Sequence, residues 1–221
     1  MKLFNFLSAS RPPLVEQSLA DLATMIERAE RMFGAATSYL LDNEPLPFDL
    51  SEADNEINDL EQKIRRAVLE HMAVAPQDET SLTLLILSIV QDAERCGDLA
   101  KSIGKAAALA DGPRMGPHVD ALRPLRDRVL AAFAKARAGF ESASADDARA
   151  VMEAHDTIKA DGAAYLQALS TADDLTTNRA VVLAIASRMI LRTSSHLSNI
   201  ISTVALPFDQ IRRSPTWGDD E

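Results

Sequence analysis

Asp92, Glu94 and Asp98 stand close together in the run Asp92-Ala-Glu94-Arg95-Cys96-Gly97-Asp98. Glu94 and Asp98 are four residues apart, so on a helix they leave the same face about one turn from each other. Oxygen donors placed that way can converge on a divalent cation. Two carboxylates alone supply too few ligands, so a metal site needs a second helix to bring more. The same pair also reads as salt-bridged scaffold, because Arg95 and Lys101 lie nearby in the chain and can neutralise it. The remaining elements decide between the two.

The acids ride on a strongly patterned segment. Apolar positions at Leu82, Ile86, Ile89, Ala93, Cys96, Ala100 and Ile103 alternate steps of four and three, which keeps one helical stripe facing a partner. Similar stripes mark five more helices. The first runs from about Leu14 to Asp42, through Leu22, Met25, Ile26, Ala29, Phe33 and Leu40, and ends at Asn43-Glu-Pro-Leu-Pro47. The second opens near Ser51, an N-cap residue type followed by Asp54, and carries Ile57, Leu60, Ile64 and Val68. Asp78 is placed to cap the third. Two Gly-Pro pairs in Asp111-Gly-Pro-Arg-Met-Gly-Pro117 then break the helical pattern. The fourth helix carries Val119, Leu122, Leu125, Val129, Phe133 and Phe140. Ser144 or Asp146 caps the fifth, which carries Val151, Ile158, Tyr165 and Leu169. Asp173 or Asp174 starts the sixth, and Pro207 ends it.

The predicted organisation is a lead-in over 1–13, a first three-helix bundle over 14–110, a Gly/Pro linker over 111–117, a second bundle over 118–206 and a loose tail over 207–221. Leu3, Phe4, Phe6 and Leu7 form an apolar patch in the lead-in, read as cover for one end of the first helix.

The two halves superpose at an offset of 97 residues. Ile86, Ile89, Ala93, Cys96, Ala100 and Ile103 fall on Leu183, Ala186, Ile190, Thr193, Leu197 and Ile200, and Arg95 falls on Arg192. Preserved spacing between helices carries more weight than matching stripes, which any two amphipathic helices share. The fold class is therefore all-α: two pseudo-repeated antiparallel three-helix bundles built from six long helices. The repeat fails at the acids, since Glu94 falls on Leu191 and Asp98 on Ser195. Asn58 falls on His155, beside Asp156.

Composition narrows the function. The chain has 221 residues, 47% hydrophobic, and a net charge of −10. Such acidity disfavours wrapping a nucleic-acid backbone, so no nucleic-acid partner is expected. A single cysteine, Cys96, excludes an internal disulfide and a cysteine-based zinc cluster. Its place on the stripe reads as a core thiol. The first residues lack the apolar length of a secretory signal, and the run Leu82–Val90 is too short to span a bilayer, so a cytoplasmic location is expected. His71, His118, His155 and His196 are scattered. No His-x-x-x-His or glycine-rich phosphate loop occurs, and Ser194-Ser195-His196 are neighbours in sequence, not a catalytic triad.

Three stretches resemble the PhoU family of phosphate-transport and phosphate-signalling regulators. They are Ala53-Asp-Asn-Glu-Ile-Asn-Asp-Leu-Glu61-Gln-Lys-Ile64, Val74-Ala-Pro-Gln-Asp78 and Asp92-Ala-Glu-Arg-Cys-Gly-Asp98-Leu-Ala-Lys-Ser-Ile103. His196 and Asn199 match a decayed second copy of the last pattern. The resemblance covers roughly residues 15–205. It implies two three-helix bundles, no chemical turnover, and metal (iron, zinc, magnesium or manganese) at Glu/Asp-x-x-x-Asp motifs. Glu94 and Asp98 match that motif, and Asp54 matches the first acid of its counterpart on the second helix. Asn58 stands where a second acid is usual. Asp54, Asn58 or Glu61 would have to lie beside the third helix to complete a site in the first bundle.

The leading reading is thus a non-enzymatic, cytoplasmic regulator of inorganic phosphate transport or phosphate-responsive signalling. The resemblance implies that it contacts a phosphate transporter or a membrane sensor histidine kinase, lies peripherally at the inner membrane face through those partners, and is gated by metal. Exposed bundle faces also permit a homodimer. Two other readings stand beside it. A di-metal carboxylate enzyme wants Glu-x-x-His motifs from several helices, which are lacking here. A metal-free helical scaffold or adaptor needs none of the acids.

Overall fold

The computed structural model describes residues 12–212. They form six long helices: α1 (Pro13–Leu41), α2 (Leu50–Val74), α3 (Thr80–Ala108), α4 (Pro117–Ser142), α5 (Ala145–Ser170) and α6 (Thr177–Ala205). A single 3-10 turn follows at Phe208–Gln210. The apolar lead-in patch at Leu3, Phe4, Phe6 and Leu7 lies outside the described residues, as does the tail beyond Arg212.

The stripes are buried as their spacing requires. α1 packs on α2 and α3, and α2 on α3, making the first bundle. α4, α5 and α6 pack on one another in the second. The bundles join where α3 meets α6 and α1 meets α4. At that join the rings of Phe33 and Phe133, both fully buried, sit 5.6 Å apart between centroids. The buried side chains of all six helices form one continuous cluster. Each large one stabilises the fold by about 1.5–3 kcal/mol relative to exposure, before the cost of ordering is counted. The pseudo-repeat is visible in the helix bounds. α3 and α6 are both 29 residues long, and Thr80 and Ala108 correspond to Thr177 and Ala205 at the repeat offset.

Helix starts differ from expectation at three places. Asp49, not Ser51, caps α2, accepting hydrogen bonds from the backbone N–H groups of Ser51 and Glu52 at 2.6 and 3.2 Å. Two orphan donors of the first turn are satisfied by one carboxylate. Asp78 does not cap α3. Glu79 precedes that helix in a left-handed conformation (φ 53°) with no side-chain cap. α6 begins after Thr176, whose hydroxyl accepts from the Arg179 N–H, so neither Asp173 nor Asp174 starts it. Ser144 caps α5 as expected.

The segment joining the bundles is tied down despite its prolines. Asn43 and Arg114 exchange two hydrogen bonds of 2.9 Å, and Arg114 Nε donates to the Leu40 carbonyl at 2.9 Å. Asp42, at the end of α1, accepts from Arg123 and Arg126 of α4 at 3.0 and 2.7 Å. These contacts fix α4 against α1. Part of the expected tail is likewise anchored: the Arg212 side chain returns to Asp92 on α3. No described helix is long and apolar enough to cross a membrane.

Candidate functional site

Glu94 and Asp98 lie on the edge of α3 that faces α2, and α2 brings Asp54 and Asn58 beside them. The close approach depends on Gly97. A Cβ there would lie 2.8 Å from Ile57 Cδ1 and 3.6 Å from Asp54 Oδ1. A mid-helix glycine costs about 1 kcal/mol relative to alanine. Here it makes room for a buried carboxylate, since Asp54 is only 1% exposed.

The expected metal ion does not fit this arrangement. Lys101, on the next turn of α3, directs its ammonium at Asp54 Oδ2 and also sits 3.2 Å from Asp98 Oδ1. Arg95 lies 2.8 Å from Asp98 Oδ2 and 3.6 Å from Glu94. Asn58 turns its NH2, a donor, toward Asp54 at 3.4 Å. Glu61 is held by Arg65 at 2.7 Å. Among the described residues no three His, Cys, Asp or Glu side chains are grouped to hold a metal ion. The expectation of iron, zinc, magnesium or manganese at Glu94, Asp98, Asp54, Asn58 and Glu61 is therefore corrected. The chain supplies its own cations, and the ammonium of Lys101 stands between the two aspartates. Asp54 Oδ1 accepts no hydrogen bond. It lies against the Gly97 face of α3.

The electrostatics follow from this crowding. Burial, then the charges of Asp98 and Glu61, push the Glu94 carboxyl up to about 7, against the pull of Arg95. Of the two carboxyls, Glu94 is the one that takes up a proton first as pH falls. Burial alone would raise Asp98, but the hydrogen bond and charge of Lys101, its contact with Glu94 and the charge of Arg95 hold it below the ordinary carboxylate range. Cys96 is a buried thiol whose pKa burial pushes up, with Asp92 and Glu94 adding to the effect.

A prediction about pH follows from Glu94. An acid with a raised folded pKa binds its proton more tightly in the folded state, so it detracts from stability as pH rises from its unfolded value through about 7. Stability should fall by on the order of 1–3 kcal/mol between pH 5 and pH 8 from this group alone. Glu94→Gln should remove that slope and be the more stable form at pH 8. Urea titrations of both forms at the two pH values measure it. A Glu94→Gln slope equal to that of the parent would remove the assignment.

A second polar centre joins the bundles. Asp92 on α3 is 4% exposed. Its Oδ1 accepts from His196 Nδ1 at 2.8 Å and Asn199 Nδ2 at 3.0 Å, both on α6. Its Oδ2 accepts from Arg212 Nε and Nη2 at 3.1 and 2.6 Å. Burial would raise its pKa, but these hydrogen bonds and the Arg212 charge outweigh it, and the pKa is lowered. In the sequence Asp92 lies about a hundred residues from His196 and Asn199, and no spacing joins them. His155, which the repeat places at the position of Asn58, bonds through Nδ1 to the Ser194 hydroxyl at 2.9 Å.

Comparison with known proteins gives a domain match and a fold match. Residues 22–107 match the family model described as the PhoU domain. That span covers the helices that carry Asp54, Glu94 and Asp98. Among solved structures, the chain is similar to PhoU from Pseudomonas aeruginosa, with 24% identity and a TM-score of 0.80, covering 86% of this chain and 95% of that one. It is also similar to the phosphate transport system regulatory protein PhoU from Streptococcus pneumoniae, with 19% identity and a TM-score of 0.72, covering 86% and 91%. A search of the curated proteins returns no match.

Proposed function

We propose that this chain, which matches the PhoU domain over residues 22–107 and has the PhoU fold over its described helices, is a regulator of inorganic phosphate transport or of phosphate-responsive signalling. The domain match over the first bundle carries the reading. A regulatory role of this kind needs contact surfaces more than a reaction centre. Among the described residues the polar groups at both centres are engaged with one another, as scaffold and joint. The proposed mode of action is binding to a membrane phosphate transporter or to a sensor histidine kinase, with the chain placed at the membrane through that partner.

The test is physiological and direct. Cells lacking the chain should take up radiolabelled phosphate at a rate no longer matched to external supply, and the intact chain should restore the match. Glu94→Gln, which alters the acid cluster without removing it, should restore it equally well. Uptake and phosphate-responsive expression that are identical with and without the chain would sink the reading.

A further inference from the structure

At the place of the acid cluster the second bundle differs in charge from the first. At the repeat offset, Glu94 and Asp98 fall on Leu191 and Ser195, while Gln62 and Gln91 fall on Lys159 and Arg188, and Arg95 on Arg192. The acids are lost there and Lys159 and Arg188 are gained, while Lys101 falls on Ser198 and Arg65 on Gly162. α6 carries three arginines and no acid over its 29 residues, in a chain where 33 acidic residues outnumber 23 basic ones.

These replacements surround a groove between α5 and α6 of about 510 Å³. Lys159, Arg188, Arg192 and Arg212 line it together with Ser195, whose hydroxyl donates to the Leu191 carbonyl, and Ser198. No carboxylate and no Phe, Tyr or Trp side chain lines it. In the first bundle every cation beside the acid cluster is paired: Lys101 with Asp54 and Asp98, Arg95 with Asp98 and Glu94, Arg65 with Glu61. In the groove only Arg212 is balanced, by Asp92. Lys159, Arg188 and Arg192 have no ion-pair partner among the described residues. The negative charge that acts on His155 is that of Asp156, on its own helix.

We propose that this groove binds a small, multiply charged phosphoryl anion. Arginine presents a planar fork of donors that matches phosphoryl oxygens two at a time, and the Ser198 hydroxyl adds a neutral donor between the charges. Three unbalanced cations call for more than one negative charge. The volume falls within the range of small-ligand sites and leaves room for more than one phosphoryl group. The absence of an aromatic ring gives a nucleobase nothing to stack on. The net charge of −10 works against a long nucleic-acid backbone outside the groove. The charge and shape of the second bundle point to this ligand independently of the regulatory reading.

Titration calorimetry with pyrophosphate, and separately with inorganic phosphate, tests the site on the full chain at low ionic strength. The expected result is saturable binding at one site per chain, stronger for pyrophosphate. Arg188→Gln and Arg192→Gln should each weaken it about tenfold. Both side chains are exposed, so neither change should disturb the fold, and circular dichroism checks that. Arg66→Gln, on the far bundle, should leave binding unchanged. A parallel arm uses vesicles containing an anionic phospholipid. Vesicle binding lost in both groove variants, without binding of either soluble anion, would uphold the phosphoryl chemistry and assign its source to a lipid headgroup. No saturable binding in any arm, or binding that both groove variants retain in full, would overturn the proposal.

Discussion

Replacing Lys101 by methionine is expected to destabilise the fold by about 3–5 kcal/mol. The side chain of Asp54 is 2% exposed, and the Lys101 ammonium is the only cation bonded to it among the described residues. Asp54 Oδ1 has no partner at all. Removing the lysine strands a buried carboxylate in the gap between α2 and α3, and it deprives Asp98 of the contact at 3.2 Å. Burial would lower the Lys101 pKa, but the hydrogen bonds and charges of Asp54 and Asp98 outweigh it, and the pKa is raised. The lysine's contribution is therefore fully present below its unfolded value and is lost only as pH rises through the higher folded one, so neutral pH is a fair place to measure it. The second variant makes the prediction specific. Lys101→Met combined with Asp54→Leu removes both charges, and the pair should recover most of the loss, because an apolar replacement of a buried ion pair is often close to neutral. Urea unfolding of the parent, both single variants and the double variant closes the cycle. A Lys101→Met loss below about 1 kcal/mol, typical of a surface ion pair, would show that the cluster is not the buried joint described here.

The sequence carried the fold because the fold is written in local periodicity. Six apolar stripes give six helices, and the breakers between them sit where Pro47, Pro76 and the Gly112-Pro113 and Gly116-Pro117 pairs remove or redirect backbone donors. Caps were less legible. Ser51, Asp78, Asp173 and Asp174 have the right chemistry, but so do Asp49 and Thr176, and only the geometry of the turn decides which side chain reaches the free N–H groups. The acid cluster was legible as a cluster and not as to its purpose. Spacing along α3 places Glu94 beside Asp98, and it also places Arg95 and Lys101 there. Whether a carboxylate waits for a metal or is met by an ammonium depends on Asp54, 47 residues from Lys101 in the chain. The groove in the second bundle was hidden for the same reason. Lys159 on α5 and Arg188 and Arg192 on α6 are ordinary surface residues until two helices bring them to one cavity.

Asp92→Ala is expected to cost about 3–5 kcal/mol and to loosen the contact between the bundles. The carboxylate accepts from His196 and Asn199, 104 and 107 residues away, and from Arg212, 120 residues away. A single buried group thus fastens α3, the C-terminal half of α6 and the chain beyond it. Alanine leaves the donors of His196 and Asn199 facing a hole in the joint with no acceptor, which is the costly way to break a polar network. Asp92→Asn is the informative contrast. It keeps an oxygen for one donor but loses the charge that pairs with Arg212, so a smaller loss is expected. The pH dependence has the opposite sign to that of Glu94. Because the folded pKa of Asp92 is lowered, its contribution is present above the ordinary carboxylate pKa and is lost as pH falls through the folded value. Acid unfolding should therefore begin at higher pH in Asp92→Asn than in the parent, while the two converge at strongly acidic pH. Amide hydrogen exchange locates the effect. Faster exchange in α3 and the C-terminal half of α6, with α1 and α2 exchanging as in the parent, is the expected pattern. Uniform acceleration across all six helices would mean that the bundles unfold as one unit, and that Asp92 supports the whole core and not the joint between its halves.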